Sequence, residues 1–249
     1  MSKEIEISEL TKEYSNSTTA ALKQLSVAFE SGKISSILGP NGSGKTTFLK
    51  IILGLLRPSQ GEVRIFQERV LMPYPVSIKR NFLFLPDEPI VIDYLTGAEN
   101  LEYMCAVYNI DTKNLDIDSI LEKYGLADSR GKLVRDYSKG MKQRLQLSYI
   151  DVYAPKIIVL DEPTNGLDIL AIASISEILK TAAGNGALVL VATHDMSFCR
   201  NRSDDILLLQ DGQKLCWQST AQYLQDYGTL ENAVMSLLHT NLCAAHQGT

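Results

Sequence analysis

The fold of this chain is predicted from one stretch, Gly39-Pro40-Asn41-Gly42-Ser43-Gly44-Lys45-Thr46-Thr47, which fits the pattern GxxxxGK[ST]. An apolar run, Ile34 to Leu38, precedes it, and a helical pattern, Thr46 to Leu53, follows it. Strand, glycine-rich turn and helix are the context in which this pattern forms a phosphate-binding P-loop. Its glycines let backbone N–H groups approach phosphate oxygens, and the helix N-terminus adds partial positive charge. The stretch predicts a nucleotide site, with Lys45 on the β- and γ-phosphates and the Thr46 hydroxyl on Mg²⁺.

A second candidate element is Ile157 to Glu162, an apolar run that ends in two carboxylates and matches a Walker B pattern. A strand of this kind delivers Asp161 to the edge of the nucleotide site, where it can hold Mg²⁺. Glu162 can orient and deprotonate the attacking water. A solvated acidic pair at the end of a strand is the alternative, but the upstream P-loop favours the functional interpretation.

Composition limits the classes of function that remain. The chain has 249 residues and a net charge of −5 without a long basic run, which argues against non-specific nucleic-acid binding and leaves room only for a local patch. The cysteines are scattered and indicate reduced thiols in a cytosolic protein, with a metal or redox site as the alternative; they are Cys105, Cys199, Cys216 and Cys243. Met1 to Glu9 is charged and alternating, so no N-terminal signal is expected. Apolar runs such as Phe48 to Leu56 are too short to span a bilayer, so a membrane role requires a partner.

Hydrophobic patterning predicts an α/β fold with a P-loop NTPase core. Alternating runs predict an antiparallel sheet appended to the core; they are Glu4 to Leu10, Leu25 to Phe29 and Glu62 to Ile65. Short apolar runs predict buried core strands in a mostly parallel sheet; they are Ile34 to Leu38, Phe82 to Leu85, Lys156 to Leu160, Leu188 to Ala192 and Ile206 to Leu209.

Helical patterns between the core strands predict an insertion. A capping box at Thr96 to Glu99 opens the first helix, and the patterns Ile117 to Tyr124 and Lys142 to Tyr153 predict two more. A helix is also predicted from Ile169 to Ala183, and two terminal helices from Thr220 to Leu238 are divided at Gly228. We therefore expect one domain, 1–249, with core segments 1–86 and 154–218, a helical subdomain 87–153 and C-terminal helices 219–240. The tail after His239 is expected to fray.

Three further motifs carry a resemblance to a known family. The stretch Asp161-Glu162-Pro163-Thr164-Asn165-Gly166-Leu167-Asp168 resembles the Walker B and D-loop of ATP-binding cassette (ABC) ATPases. Tyr137-Ser138-Lys139-Gly140-Met141-Lys142-Gln143-Arg144 resembles their signature motif, and Thr193-His194-Asp195 resembles their switch histidine. Tyr14 stands where the family has an aromatic residue that stacks on adenine. The motifs follow the family's order and cover essentially the whole chain.

The resemblance implies that the site is completed by a second subunit. In the family the signature, here Ser138 and Gly140, binds the γ-phosphate of ATP held by the other subunit, so two chains pack head to tail around two ATP molecules. Asp168 would lie at the dimer seam, and His194 would sense the γ-phosphate. A plain helix N-cap is an alternative role for Ser138 and Asp168, a structural histidine for His194, and a surface tyrosine for Tyr14.

Three positions depart from the family pattern. Lys139 and Met141 replace the commoner Gly and Gln of the signature. After Leu85-Pro86 the family usually has a Gln that contacts Mg²⁺ and signals to the membrane partner, whereas this chain has Asp87. Asp has a shorter reach and adds negative charge, but its oxygens can bind a hard cation. Asp87 is therefore a candidate metal ligand together with Thr46 and Asp161.

The resemblance implies an ATP-hydrolysing subunit of an ABC transporter, with ATP and Mg²⁺ as cofactors. Three features resemble the ATPases of bacterial drug, lantibiotic or bacitracin exporters. They are the signature sequence Ser138-Lys139-Gly140-Met141, the acidic residue after Leu85-Pro86 and the segment Tyr227 to Glu231. Expected partners are a transmembrane permease, contacting the insertion near Asp93-Tyr94-Leu95, and a second cassette in a homodimer or heterodimer. The chain would then be cytoplasmic and peripheral on the cytoplasmic face of the membrane.

Two other functions are disfavoured. A soluble ABC ATPase acting on nucleic acid or ribosomes fits poorly with the acidic balance, the single cassette and the lack of a coiled-coil insertion. A catalytically silent regulatory cassette fits poorly with the intact Lys45, Asp161, Glu162 and His194.

Overall fold

Among the described residues, ten strands divide between two β-sheets. The structure, a computed structural model, describes residues 2–15 and 17–246, without the side chains of 114 and 239–246. The strands are β1 (Lys3–Lys12), β2 (Leu22–Glu30), β3 (Ile34–Leu38), β4 (Gln60–Ile65), β5 (Glu68–Arg69), β6 (Phe82–Leu85), β7 (Ile157–Asp161), β8 (Leu188–Thr193), β9 (Asp205–Gln210) and β10 (Gln213–Ser219).

The helices follow the strands in chain order. They are α1 (Lys45–Ile52), α2 (Val76–Lys79), α3 (Gly97–Tyr108), α4 (Ile117–Lys123), α5 (Lys139–Tyr153), α6 (Ile169–Gly184), α7 (Met196–Arg202), α8 (Thr220–Tyr227) and α9 (Leu230–His246).

The central sheet has the order β10-β9-β3-β8-β7-β6, and its strands are parallel except for β10. Both faces are buried. In β7, Ile157 and Val159 belong to the apolar cluster that includes α1, whereas Ile158 and Leu160 belong to the cluster that includes α5 and α6. Burial on both sides explains why these strands are continuous apolar runs. The predicted α/β fold with a mostly parallel core sheet is confirmed.

The second sheet is antiparallel, with the order β2-β1-β4-β5, as the alternating runs predicted. Ile5 and Ile7 of β1 are buried with Val63 of β4 in the cluster that contains α1. This sheet therefore packs on the face of the core that carries the P-loop helix.

Strand order brings three loops to one edge of the central sheet. Leu38 at the end of β3 pairs with Thr193 of β8, and Asp161 at the end of β7 pairs with Ala192. Parallel strands place their carboxyl ends together, and ligands of open α/β sheets bind at such an edge. The P-loop, the carboxylates after β7 and the segment after β8 therefore meet.

The predicted helices between β6 and β7 are present as α3, α4 and α5. They share one apolar cluster, with Leu101, Leu121 and Leu145 each fully buried. Helix α5 begins at Lys139, earlier than the apolar pattern suggested, because Ser138 caps it and accepts a hydrogen bond from the Met141 N–H at 3.2 Å.

The C-terminal region differs from expectation in its extent. Gly228 separates α8 from α9 as predicted, but α9 continues to His246 rather than ending near Leu238. No Gly or Pro interrupts the sequence between Leu230 and His246, so nothing local stops the helix. Residues 247–249, part of the tail predicted to fray, lie outside the described residues.

Thr96→Ala tests the capping box at the start of α3. The Thr96 hydroxyl accepts from the Glu99 N–H at 3.2 Å, and the Glu99 carboxylate accepts from the Thr96 N–H at 2.7 Å. Losing this cap should lower the free energy of unfolding by about 1 kcal/mol, measured as a shift of the urea midpoint. Thr112→Ala, at an exposed position, is the control. Equal shifts in both variants would contradict a capping role.

Candidate nucleotide site

The P-loop closes on backbone contacts that only glycine permits. Gly44, the N-cap of α1, has φ +105°, and a Cβ there would lie 2.7 Å from the Ala21 carbonyl oxygen. A Cβ on Gly39 would collide with the Leu209 carbonyl oxygen. Pro40, Asn41 and Gly42 form the exposed crest of the loop. The loop thus adopts the tight turn that its glycines predicted.

The Lys45 ammonium group lies inside this loop. Only 6% of the residue is exposed, and its Nζ donates to the carbonyl oxygens of Gly39, at 2.7 Å, and Pro40, at 3.3 Å. The same Nζ is 3.6 Å from Oε1 of Glu162. A single buried cation therefore links the P-loop to the carboxylate after β7.

Asp161 lies beside the first turn of α1. Its Oδ2 accepts a hydrogen bond from the Thr46 hydroxyl at 3.4 Å. Burial raises the pKa of Asp161, and the neighbouring charge of Glu162 adds to this rise, while Thr46 and Lys45 oppose it. The Thr46 hydroxyl and the Asp161 carboxylate therefore face each other, and the carboxylate has little positive charge around it. Two such oxygen ligands suit a hard cation.

Glu162 is held by the segment after β8. Its Oε2 accepts from the Thr193 hydroxyl at 3.1 Å and the His194 backbone N–H at 3.3 Å, and lies 2.9 Å from His194 Nδ1. Its φ of +49° is unusual for a residue with a side chain. The sequence predicted Glu162 and His194 as site residues but did not predict the contact of Thr193 with Glu162. The available signal was that Thr193 ends the strand next to β7.

A cavity of about 340 Å³ lies where these groups meet. It is lined by P-loop residues, including Lys45, Thr46 and Thr47, and by Asp87, Asp161 and Glu162. A larger cavity, about 510 Å³, lies near the starts of β7 and β8 and contains none of these residues. We assign the site to the smaller cavity because ligands of such sheets bind at the carboxyl ends of the strands.

Tyr14 lies at the rim of this cavity and not in its wall. Its hydroxyl is 3.3 Å from Oγ1 of Thr47, which does line the cavity. The ammonium group of Lys12 lies 5.2 Å from the centre of the Tyr14 ring. The ring is therefore next to the P-loop helix and partly exposed, as stacking on a nucleotide base requires.

Ser138, Gly140 and Asp168 do not line the cavity. Ser138 is the N-cap of α5, and Asp168 is the N-cap of α6, with its Oδ1 accepting from the Ala171 N–H at 2.8 Å. A Cβ on Gly140 would lie 3.6 Å from Leu167, so these two segments adjoin each other. Ser138, Gly140 and Asp168 therefore do not contribute to the wall of the cavity in their own chain.

Asp87 has a partner that sequence reasoning missed. Its Oδ1 lies 3.0 Å from Nζ of Lys139 in the first turn of α5. Two of the three residues that depart from the family pattern, Asp87 and Lys139, therefore contact each other. Their separation of 52 positions along the chain gave no local signal of this contact.

The oxygen donors at the cavity fit a magnesium ion bound together with phosphates. Among the described residues no group of three or more His, Cys, Asp or Glu side chains could form an all-protein metal site. Magnesium usually takes one or two carboxylates and fills its remaining positions with water and substrate phosphates. Thr46 and Asp161, with Asp87 nearby, match that requirement.

None of the helices in residues 2–15 and 17–246 combines the length and the apolar character needed to cross a membrane.

Comparison with known proteins gives consistent matches. A family model described as "ABC transporter" matches residues 22–165, and a second, described as an AAA domain, matches 132–200. The Bacillus subtilis SkfA peptide export ATP-binding protein SkfE is 30% identical over 211 residues, covering 84% of this chain and 86% of SkfE. The Bacillus licheniformis bacitracin transport ATP-binding protein BcrA is 32% identical over 216 residues, covering 86% of this chain and 69% of BcrA.

Some relatives are longer than this chain, and a solved structure matches nearly all of it. The chain spans 68%, 64% and 62% of the length of three other curated relatives. The structure of an ATP-binding subunit of an ABC transporter superposes with a TM-score of 0.83 at 25% identity, covering 94% of this chain and 99% of that one.

Proposed function

Because the chain belongs to the family of ABC transporter ATP-binding proteins, which are ATPases, we propose that it hydrolyses ATP in the cavity beside the P-loop to drive a separate transmembrane subunit. One observation carries the proposal. Lys45, at the start of α1, Glu162, after β7, and His194, after β8, are joined within 3.6 Å by a hydrogen bond and an ion pair. This arrangement places a cation that can bind phosphates next to a carboxylate that can orient a water molecule.

The residues in and around the cavity have distinct proposed roles. The P-loop N–H groups and Lys45 bind the β- and γ-phosphates, and Tyr14 stacks on the adenine. Thr46 and Asp161 hold Mg²⁺, which neutralises charge on the phosphates when it is bound. Glu162 orients the attacking water and accepts its proton, and His194 positions Glu162 and the γ-phosphate.

We propose that hydrolysis requires two cassettes. Ser138 and Gly140 lie at the N-terminus of α5, where free backbone N–H groups and the helix dipole favour an anion. Since they do not line the cavity of their own chain, they are available to the γ-phosphate held by another cassette. Asp168 would then lie at the seam between the two.

The transport role rests on the relatives and on one surface. SkfE and BcrA are named for peptide export and bacitracin transport, so we propose that this chain serves an exporter, peripheral on the cytoplasmic face of the membrane. Residues 87–153 would form the subdomain that contacts the permease. Tyr94 and Ile90 of this segment are 76% and 65% exposed, and exposed large apolar side chains suit a surface that binds a partner.

Tyr94→Ala tests the permease contact. Tagged chain is purified from detergent-solubilised membranes of its host, and enrichment of a polytopic membrane protein is expected. Tyr94→Ala should reduce the recovered partner about tenfold if this aromatic is a central anchor. Leu71→Ala is the control, since Leu71 is 71% exposed but precedes the helical segment. Recovery of ribosomes or DNA instead would overturn the transport proposal.

A further inference from the structure

We propose that Lys139 is a charge-compensating residue of the ATP site, which neutralises Asp87 and so allows a third carboxylate to border the ATP polyphosphate. The inference rests on the proposed function, since it assumes that the cavity holds ATP. It assigns a role to a side chain of α5 that does not line the cavity itself.

The charges of the cavity create the need for this residue. Asp87, Asp161 and Glu162 all line it, and Lys45 is the one cationic side chain among the lining residues. A bound polyphosphate adds several negative charges at the same place. Each unpaired carboxylate within a Debye length, about 10 Å at 0.1 M salt, would oppose ATP binding.

Geometry identifies Lys139 as the compensating charge. Its Nζ lies 3.0 Å from Oδ1 of Asp87, with both side chains about 40% exposed, at 39% and 42%. The same Nζ would lie 3.9 Å from a Cβ on Gly166, so the ammonium group sits between the segment after β6 and the turn before α6. This location brings a positive charge of α5 to the border of the cavity.

A second ion pair on α5 makes it possible to distinguish an effect of charge compensation from an effect of holding α5 against the segment after β6. Lys142, three residues along α5, lies 2.6 Å from Oδ1 of Asp93. Both pairs join the N-terminal half of α5 to the segment after β6. Only the Asp87 pair borders the cavity, because Asp93 does not line it. The Lys142 pair therefore serves as a matched internal control.

The test is a double-mutant cycle on ATP affinity. Binding of ATP to the full chain is measured by calorimetry in EDTA, so that neither hydrolysis nor metal binding contributes. Lys139→Met should weaken ATP binding about threefold at low salt, the range expected for an exposed ion pair. Asp87→Asn leaves Lys139 without its partner and should tighten binding by a similar factor, and the double variant Asp87→Asn/Lys139→Met, which carries no net charge here, should bind ATP with nearly the affinity of the unmodified chain. The difference in ATP affinity between the unmodified chain and Lys139→Met should shrink at about 0.5 M salt.

Three outcomes would overturn the inference. They are unchanged affinity in Lys139→Met, a double variant Asp87→Asn/Lys139→Met that binds ATP as weakly as Lys139→Met, and an equal loss in Lys142→Met. Thermal unfolding of each variant identifies a loss that arises from misfolding, and Lys139→Arg should restore the affinity. If the unmodified chain does not bind ATP, the proposed function fails instead, which distinguishes the two.

Discussion

Lys45→Ala is expected to weaken ATP binding by at least about a hundredfold, because each hydrogen bond to a charged group contributes about 1.5–3 kcal/mol and Lys45 would serve two phosphates. The structure already directs this ammonium group to the interior of the P-loop, with 2.7 Å to the Gly39 carbonyl oxygen. Among the residues that the structure describes, no other lysine or arginine lines the cavity to replace it.

Lys50→Ala is the matched control, since Lys50 lies on the same helix, α1, and is exposed. Both variants lose one positive charge, so a general electrostatic effect would appear in both. Calorimetric titration with Mg·ATP measures the affinity, and circular dichroism verifies that each variant is folded. Similar affinities in the two variants would refute the assignment of the P-loop.

The parts of the fold that the sequence predicted are those that depend on short stretches of chain. The P-loop was predicted because strand, glycine turn and helix are contiguous, and the structure has them as β3, residues 39–44 and α1. The core strands were predicted because burial on both faces leaves an uninterrupted apolar run, as in Ile157 to Leu160. The capping box of α3 is likewise local.

The features that were missed depend on contacts between distant segments. Strand β10 was not predicted because it lies at an edge and only half buries its side chains, which leaves no clear alternation in Gln213–Ser219. The Asp87–Lys139 pair was missed because it is created only when α5 packs beside the end of β6. Sequence reasoning treated these two departures from the family pattern separately, whereas they are one interaction.

Glu162 illustrates the limit of sequence reasoning at the site itself. The Walker B pattern predicted which carboxylate would act, but not its backbone conformation. A positive φ in a residue with a side chain costs free energy and persists only where the surroundings impose it. Here the hydrogen bonds from Thr193 and His194 hold the side chain, so the conformation depends on the loop after β8.

Glu162→Gln is expected to lower the rate of ATP hydrolysis by about 10²–10⁴-fold, the range contributed by general base catalysis. Glutamine keeps the shape of the side chain and can still accept a hydrogen bond from the Thr193 hydroxyl, but it cannot take a proton from water at neutral pH. Binding of Mg·ATP should be retained, since the variant removes a negative charge 3.6 Å from Lys45 and leaves the P-loop unchanged.

Retained ATP without hydrolysis should trap the closed pair of cassettes. Size-exclusion chromatography with light scattering is expected to show a dimer of Glu162→Gln in Mg·ATP and a monomer in Mg·ADP. Glu177→Gln on α6 is the control, because it removes a carboxylate that pairs with Arg202 at 3.1 Å, away from the cavity. Normal phosphate release by Glu162→Gln would assign the base to another residue. A variant that binds Mg·ATP but stays monomeric would contradict pairing between identical chains and direct the search to a different cassette, because the proposed role of Ser138 and Gly140 is to bind a nucleotide held outside their own chain.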